Sequence, residues 1–96
     1  NDEDNSPKHV SHRLNQNYPN PFNPSTIIEY SVGSFSNVNI AVYDITGRKI
    51  KELLNQHQTA GTYSLKFDAQ NLASGIYIYQ LRMGDYIETK KMMLIK

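Results

Sequence analysis

Short runs in which apolar and polar residues alternate, separated by turn residues, constrain the fold of this chain most strongly. In the first clear run, Ile28, Tyr30 and Val32 alternate with Glu29 and Ser31. Comparable runs follow at residues 38–43, 48–54, 62–68, 76–82 and 86–96. Alternation with a period of two places successive side chains on opposite faces of a strand. The spacing of these runs predicts an all-β, immunoglobulin-like sandwich of about seven antiparallel strands.

The size and charge of the chain exclude several function classes. Its 96 residues, of which 39% are apolar, suffice for one small domain with one core. The net charge of +1 favours neither nucleic acid nor an anionic surface as a partner. No apolar stretch is long enough to span a bilayer, so we expect no membrane insertion. Cysteine is absent, which excludes disulfides and thiolate chemistry.

The first thirteen residues differ in composition from the rest of the chain. Residues 1–13 contain one branched apolar residue, Val10, among acids, amides, histidines and a proline. Such a segment cannot bury enough apolar surface to offset the entropy lost on ordering. We therefore expect a flexible linker from a preceding domain at 1–13 and a folded domain at 14–96.

Three prolines between residues 19 and 24 fix the backbone directly after this boundary. Proline holds φ near one value and lacks a backbone donor, which excludes a helix or a central strand here. We expect a rigid extended loop whose aromatic residues, Tyr18 and Phe22, cover one end of the core.

Two later segments have distinct predictions. Residues 76–82 are apolar on both faces, which is typical of a central strand. Gly84 and Asp85 then fit a two-residue hairpin loop, after which the last strand runs to Lys96. Residues 52–59 fit a strand end and a helical turn equally well, and we predict a strand followed by a loop.

Candidate catalytic and metal-binding residues are few. His9 and His12 lie in the predicted linker, and His57 lies in a loop without a nucleophile or acid pattern beside it. The spacing of His9 and His12 occurs in metal sites, but further ligands and a rigid scaffold are missing. The acidic run 2–4 lacks the spaced oxygen ligands of a calcium loop. We expect no enzyme activity, no metal and no cofactor.

Lysines and tyrosines each allow two interpretations. Lys90, Lys91 and Lys96 either protect an edge strand from pairing with other chains or form an exposed docking surface at the basic end. The seven tyrosines could form a sugar-binding platform, for which Tyr43 and Tyr79 are candidates. Several tyrosines, Tyr79 among them, equally fit core positions at which the hydroxyl group reaches a partner.

Five motifs follow one another in the folded part of the chain. They are residues 17–24 (NYPNPFNP), 42–48 (VYDITGR), 60–63 (AGTY), 72–79 (LASGIYIY) and 90–96 (KKMMLIK). Together, over residues 14–96, they resemble the successive motifs of the type IX (Por) secretion C-terminal sorting domain, type A. The first motif is also similar to immunoglobulin-like domains of flagellar hook-capping proteins.

The resemblance implies a C-terminal signal domain of a larger secreted protein from Bacteroidetes or related bacteria. Its implied partners are the type IX outer-membrane translocon, a sortase and the attached N-terminal cargo. The implied outcome is export to the cell surface or medium, with sortase cleavage in or near residues 1–13 and transfer of the cargo to anionic lipopolysaccharide. The positions that match the signal elements of the family are Gly61, Gly75, Tyr77, Lys90, Lys91 and Lys96.

Two other functions stay open on the sequence alone. Tyrosines and polar loops would suit a carbohydrate-binding or adhesion module. A domain of this fold could also be a passive spacer in a multidomain extracellular enzyme, since fold does not determine function. We expect a monomer in each case.

Overall fold

The fold consists of β-strands in the part of the chain that the structure describes, residues 11–96 of a computed structural model. The strands are β1 (Arg13–Leu14), β2 (Ser25–Val32), β3 (Ser36–Asp44), β4 (Lys49–Gln58), β5 (Gly61–Asp68), β6 (Gly75–Met83) and β7 (Tyr86–Leu94). Within these residues no helix has the length and apolarity needed to cross a membrane. His9, the acidic run 2–4 and most of the predicted linker lie outside the described residues.

Two antiparallel sheets enclose one core. One sheet has the strand order β1-β2-β5, and the other has the order β4-β3-β6-β7. Every strand pair is antiparallel. The predicted immunoglobulin-like sandwich of seven antiparallel strands is confirmed. The central position predicted for residues 76–82 is also confirmed, because β6 lies between β3 and β7.

The core is formed by the inward faces of both sheets. Ile28, Tyr30 and Val32 of β2 are at most 2% exposed, as the alternation predicts. The opposite sheet contributes buried side chains from β3 and β6, namely Val38, Ile40, Val42, Tyr77, Tyr79, Leu81 and Met83. Burial of each large apolar side chain contributes about 1.5–3 kcal/mol, which makes this layer the main source of stability.

Strand β4 differs from its prediction. Residues 52–59 were predicted to be a strand followed by a loop, but the strand continues to Gln58 and includes His57, which was predicted to lie in the loop. Its register with β3 shifts twice, at the extra residues Ile50 and Leu53. A bulge turns the side chains that follow it, and both Leu53 and its neighbour Leu54 therefore pack partly against the core. A strictly alternating pattern places neighbouring side chains on opposite faces and therefore does not predict two adjacent core-facing residues. The sequence pattern was ambiguous here for this reason.

The C-terminal hairpin follows its prediction closely. Gly84 and Asp85 form a two-residue loop between Met83 and Tyr86, which are paired in register. The strand itself ends at Leu94, two residues before the predicted end. The last two residues no longer pair with β6, because their backbone N–H groups donate hydrogen bonds to other parts of the domain.

One long side of the sandwich is closed by residues 15–24, which we call the proline-rich segment. Tyr18 and Ile27 of β2 exchange backbone hydrogen bonds of 3.0 and 2.9 Å. Phe22 donates to the carbonyl group of Met93 at 2.9 Å and accepts from the N–H group of Ile95 at 3.0 Å. The segment therefore ties the three-stranded sheet to the end of β7.

The two aromatic residues of this segment have different environments. Phe22 is buried and its ring lies 6.1 Å from the ring of Phe67, as expected for a residue that covers the core. The same prediction is wrong for Tyr18, which is 80% exposed. Tyr18 is paired with Ile27, an outward-facing position of β2, and its side chain therefore points away from the core.

Candidate functional site

Three of the predicted site residues meet at the turn between β5 and β6. They are Gly75 and Tyr77, which come from one motif, and Lys96, which comes from another. Gly75 begins β6 directly after this turn. Tyr77 is 8% exposed, and its hydroxyl group donates to the carbonyl group of Ala73 at 2.7 Å. This bond closes the turn over the start of β6. Tyr77 therefore stabilises the turn and does not offer its hydroxyl group to solvent.

Lys96 holds the C-terminal end of the chain against the same turn. Its backbone N–H group donates to Ser74 Oγ at 3.0 Å. Its Nζ donates to the carbonyl oxygens of Gln70 at 2.5 Å and Leu72 at 2.8 Å. Carbonyl groups of a turn that lack a backbone partner are stabilised by a cationic donor. The ammonium group of Lys96 is thus engaged within the domain.

Gly75 has a backbone conformation that side chains disfavour. Its φ is +156°, and an added Cβ would meet no atom within 4 Å. Any cost of a substitution would therefore arise from the backbone conformation and not from a steric clash.

We expect Gly75→Ala to lower the free energy of unfolding by about 1–3 kcal/mol, the cost of holding a non-glycine residue in this region. Urea denaturation followed by circular dichroism measures this change. The control is Ala73→Ser at an exposed position of the same turn, which we expect to stay within about 0.5 kcal/mol of the wild type. Equal stability of the two variants would contradict the assignment.

Gly61 lies apart from this group. It starts β5, whereas the turn follows the other end of that strand, about 23 Å away at the usual rise per residue. Its φ is +153°, and the nearest atom to an added Cβ is Tyr63 Cε1 at 3.7 Å. Gly61 lies at the connection from β4 to β5, and it is not close to the other predicted residues.

Lys90 takes part in a polar cluster at the edge of β7. Its Nζ lies 3.4 Å from Glu88 Oε2. Glu88 also accepts hydrogen bonds from the N–H group of Leu14, at 3.1 Å, and from the hydroxyl group of Tyr86. The bond from Tyr86 lowers the pKa of the Glu88 carboxyl group, and burial raises the pKa of the Tyr86 hydroxyl group to about 12. The cluster fastens β1 to β7.

Lys91 points the other way, onto the outer face of the four-stranded sheet. It lies opposite Ile78 in register, is exposed and makes no ion pair within residues 11–96. Met93 follows on the same face and is 40% exposed, and Ile95 beyond the strand is 50% exposed. Of the three predicted lysines, Lys91 alone keeps its ammonium group away from partners in the described part of the chain.

Tyr79 is a structural residue whose role the sequence pattern left open. It is fully buried, and its hydroxyl group donates to the carbonyl group of Asn15 and accepts from the N–H group of Asn17, each at 2.7 Å. Burial raises its pKa to about 12. Tyr79 therefore cannot contribute to an exposed sugar-binding platform with Tyr43, which is itself half-buried.

We expect Tyr79→Phe to lower the free energy of unfolding by about 1–3 kcal/mol, because two backbone groups of the proline-rich segment lose their partner. Urea denaturation gives the stability, and amide exchange at Asn17 should accelerate beyond the global change. Tyr43→Phe is the matched control, since the Tyr43 hydroxyl group has no hydrogen bond within the described residues. Unchanged exchange at Asn17 would show that the contact contributes nothing.

The histidines within the described residues have structural contacts. His12 Nδ1 accepts a hydrogen bond from the N–H group of Gly33 at 3.0 Å, and the His12 ring lies 5.3 Å from that of Tyr86. His57 stacks on Phe35 with ring centroids 5.3 Å apart. Within residues 11–96 no three His, Cys, Asp or Glu side chains are placed to hold a metal ion.

Comparison with known proteins identifies a matching family and a solved structure with a similar fold. A family model described as "Secretion system C-terminal sorting domain" matches residues 16–96. No curated protein matches the chain. A solved structure titled "Crystal structure of dimeric latent PorU from Porphyromonas gingivalis" is similar over 97% of this chain, with a TM-score of 0.65 and 21% identity. The match covers 10% of that chain, and at this identity it shows the fold alone.

Proposed function

Because the chain belongs to the family of type IX secretion C-terminal sorting domains, we propose that it directs an attached N-terminal cargo protein through the outer-membrane translocon. The match to the family over residues 16–96 carries this proposal. A sorting domain of this family implies contact with the secretion machinery and export across the outer membrane. The family is one of signals and not of enzymes, and we propose that the domain itself catalyses no reaction.

The integration of the C-terminal residues into the fold supports a signal that is recognised as a folded surface. Met92 and Leu94 are at most 1% exposed, and Lys96 is bound to the β5–β6 turn. Releasing the last residues as a free tail would remove two core side chains and break these bonds. A translocon component that meets the folded domain therefore meets the outer side of β7.

We assign the recognition surface to the exposed residues of that side, Lys91, Met93 and Ile95. An exposed ammonium group beside two partly exposed apolar side chains suits a partner surface that combines carboxylate and apolar groups. Lys90 and Lys96 act indirectly, because their ammonium groups hold the strand and its end in place. This division replaces a uniform role for the three predicted lysines.

A reporter fusion tests the sorting function. A periplasm-targeted fluorescent protein is fused to residues 1–96 and expressed in a bacterium with a type IX system and in its translocon-deficient mutant. We expect most of the reporter outside the outer membrane in the first strain and in the periplasm in the second. The reporter without the domain should stay in the periplasm of both strains. Equal export from both strains would contradict the function.

We further propose that a sortase separates cargo from domain on the N-terminal side of β1 and attaches the cargo to the cell surface. Arg13 and Leu14 already pair with β2, and Glu88 accepts from the N–H group of Leu14. A protease does not readily cut backbone that is paired in a sheet, which favours a cut before residue 13. The mass of the domain released from exporting cells identifies its first residue. A first residue after Leu14 would exclude this position.

A further inference from the structure

The core is incompletely covered along one side of the sandwich. Seven hydrophobic residues are only partly buried against the core, and all except Tyr86 lie on β4, on β5 or in the turn after β5. The six are Ile50, Leu53, Leu54, Tyr63, Leu65 and Leu72. We call this side, between β4 and β5, the open seam. The opposite side, between β2 and β7, is the one closed by the proline-rich segment.

Strand β5 offers a regular free edge along the open seam. Its eight residues pair one for one with β2, from Gly61 to Asp68, without a bulge. Within residues 11–96 no strand pairs with its other edge. The facing strand β4 is also an edge strand, but its two bulges interrupt a regular ladder. A pairing strand would therefore add to β5 and not to β4.

A cleft of about 360 Å³ lies at one end of the open seam. Ile50, Phe67 and Leu72 supply its apolar lining, and Lys51 and Asp68 stand on its two sides. The other end of the seam is closed by the short connection between β4 and β5. The volume is sufficient for one large apolar side chain that enters from the β5 edge.

The closed side of the same molecule shows what kind of segment fits such a seam. There the extended proline-rich segment pairs with β2 through Tyr18, contacts the β7 end through its backbone and places Phe22 in the core. It thus combines edge pairing with insertion of one apolar side chain. The open seam presents the same two elements, a free edge and an apolar cleft, without an occupant within the described residues.

The charges beside the open seam favour an acidic occupant. Lys51 on β4 and Lys66 on β5 are exposed, and neither has a carboxylate within 4 Å in the part of the chain that the structure describes. Asp68 is the single acid of the cleft lining, and it accepts a hydrogen bond from the N–H group of Gln70. Carboxylate groups of an added strand would therefore lie near these two lysines beside the cleft.

We propose that the open seam binds an extended segment of another protein by strand addition to β5. One apolar side chain of that segment fills the cleft between Ile50, Phe67 and Leu72, and its acidic side chains lie beside Lys51 and Lys66. This mode takes its affinity from main-chain hydrogen bonds and its selectivity from the pocket and the charges. The surface is separate from the exposed side of β7, and the proposal does not depend on the sorting function.

An NMR titration of the ¹⁵N-labelled chain tests the proposal. The probe is an eight-residue peptide in which aspartate alternates with valine and one central valine is replaced by leucine. At saturating peptide we expect amide exchange along β5 to slow at least about tenfold, with the largest shift changes at Leu65, Phe67 and Leu72. The same peptide with lysine in place of aspartate should bind at least about tenfold more weakly.

Variants separate charge from folding. Lys51→Glu combined with Lys66→Glu should weaken binding of the acidic peptide at least about tenfold, and both positions are exposed, so the fold should be kept. Lys91→Glu, on the other side of the domain, should leave the affinity unchanged. Absence of slowed exchange in β5 at millimolar peptide would overturn the proposal, as would protection located on β7. Pairing of β5 with a second copy, seen as a doubled mass without peptide, would also overturn it.

Discussion

Replacing Phe22 with alanine is expected to lower the free energy of unfolding by about 3–5 kcal/mol, the largest stability change that we predict. The ring is 2% exposed and packs beside Phe67, so its removal leaves a cavity at the end of the core. Domains of this size have total stabilities of about 5–15 kcal/mol, and the variant should therefore be marginal. Urea denaturation at 25 °C gives the difference directly.

The effect should reach the C-terminal end of the chain. The backbone of Phe22 holds Met93 and Ile95 through two hydrogen bonds, and a displaced segment would release them. Amide exchange at Ile95 should therefore accelerate more than that of β3. Tyr18→Ala, an 80% exposed position of the same segment, is the control and should change stability by at most about 0.5 kcal/mol. A loss below about 1 kcal/mol for Phe22→Ala would contradict the closing role.

The sequence predicts the sandwich because its strands are buried on one face. Alternation in β2 identifies Ile28, Tyr30 and Val32 correctly, since each occupies the core-facing side of a strand without bulges. The doubly apolar run of β6 likewise indicates a central strand. In β4 the pattern is insufficient, because its bulges at Ile50 and Leu53 depend on the register with β3.

The sequence could not predict that the three lysines have different roles. A lysine that bonds turn carbonyl groups and a lysine that faces solvent have the same residue type and the same neighbours in sequence. Lys96 is engaged because the turn before β6 returns to the chain end, a contact between residues 24 or more positions apart. Alternation does place Lys90 and Lys91 on opposite faces, but which face carries a partner depends on Glu88 and on β1.

The structural role of Tyr79, which binds the backbone of the proline-rich segment, could not be predicted from the sequence either. Its position in a doubly apolar strand indicates burial, and a buried tyrosine needs a hydrogen-bond partner. The partners are backbone groups of residues more than 60 positions away, Asn15 and Asn17, which no local pattern identifies. The motif around Asn17 is thus explained by a contact with β6, because the two motifs form one structural unit.

Lys91→Glu is the second prediction with a large expected effect. One row of paired residues crosses the outer face of the four-stranded sheet from strand to strand. Lys49 and Lys91 lie at its two ends, and Tyr43 and Ile78 lie between them. Both are exposed, so charge reversal at either should leave the fold and its stability unchanged. Lys91 lies on the proposed recognition surface and Lys49 lies three strands away, which makes Lys49→Glu a matched control.

The exported share of the reporter fusion with each substitution tests the central claim most directly, the claim that the machinery recognises the exposed side of the folded C-terminal strand. We expect Lys91→Glu to lower this share at least about tenfold, equivalent to about 1.4 kcal/mol of lost recognition, and Lys49→Glu to leave it unchanged. Thermal unfolding of both purified domains shows that the fold is intact. Wild-type export of the Lys91→Glu fusion, or an equal loss for both variants, would contradict the claim.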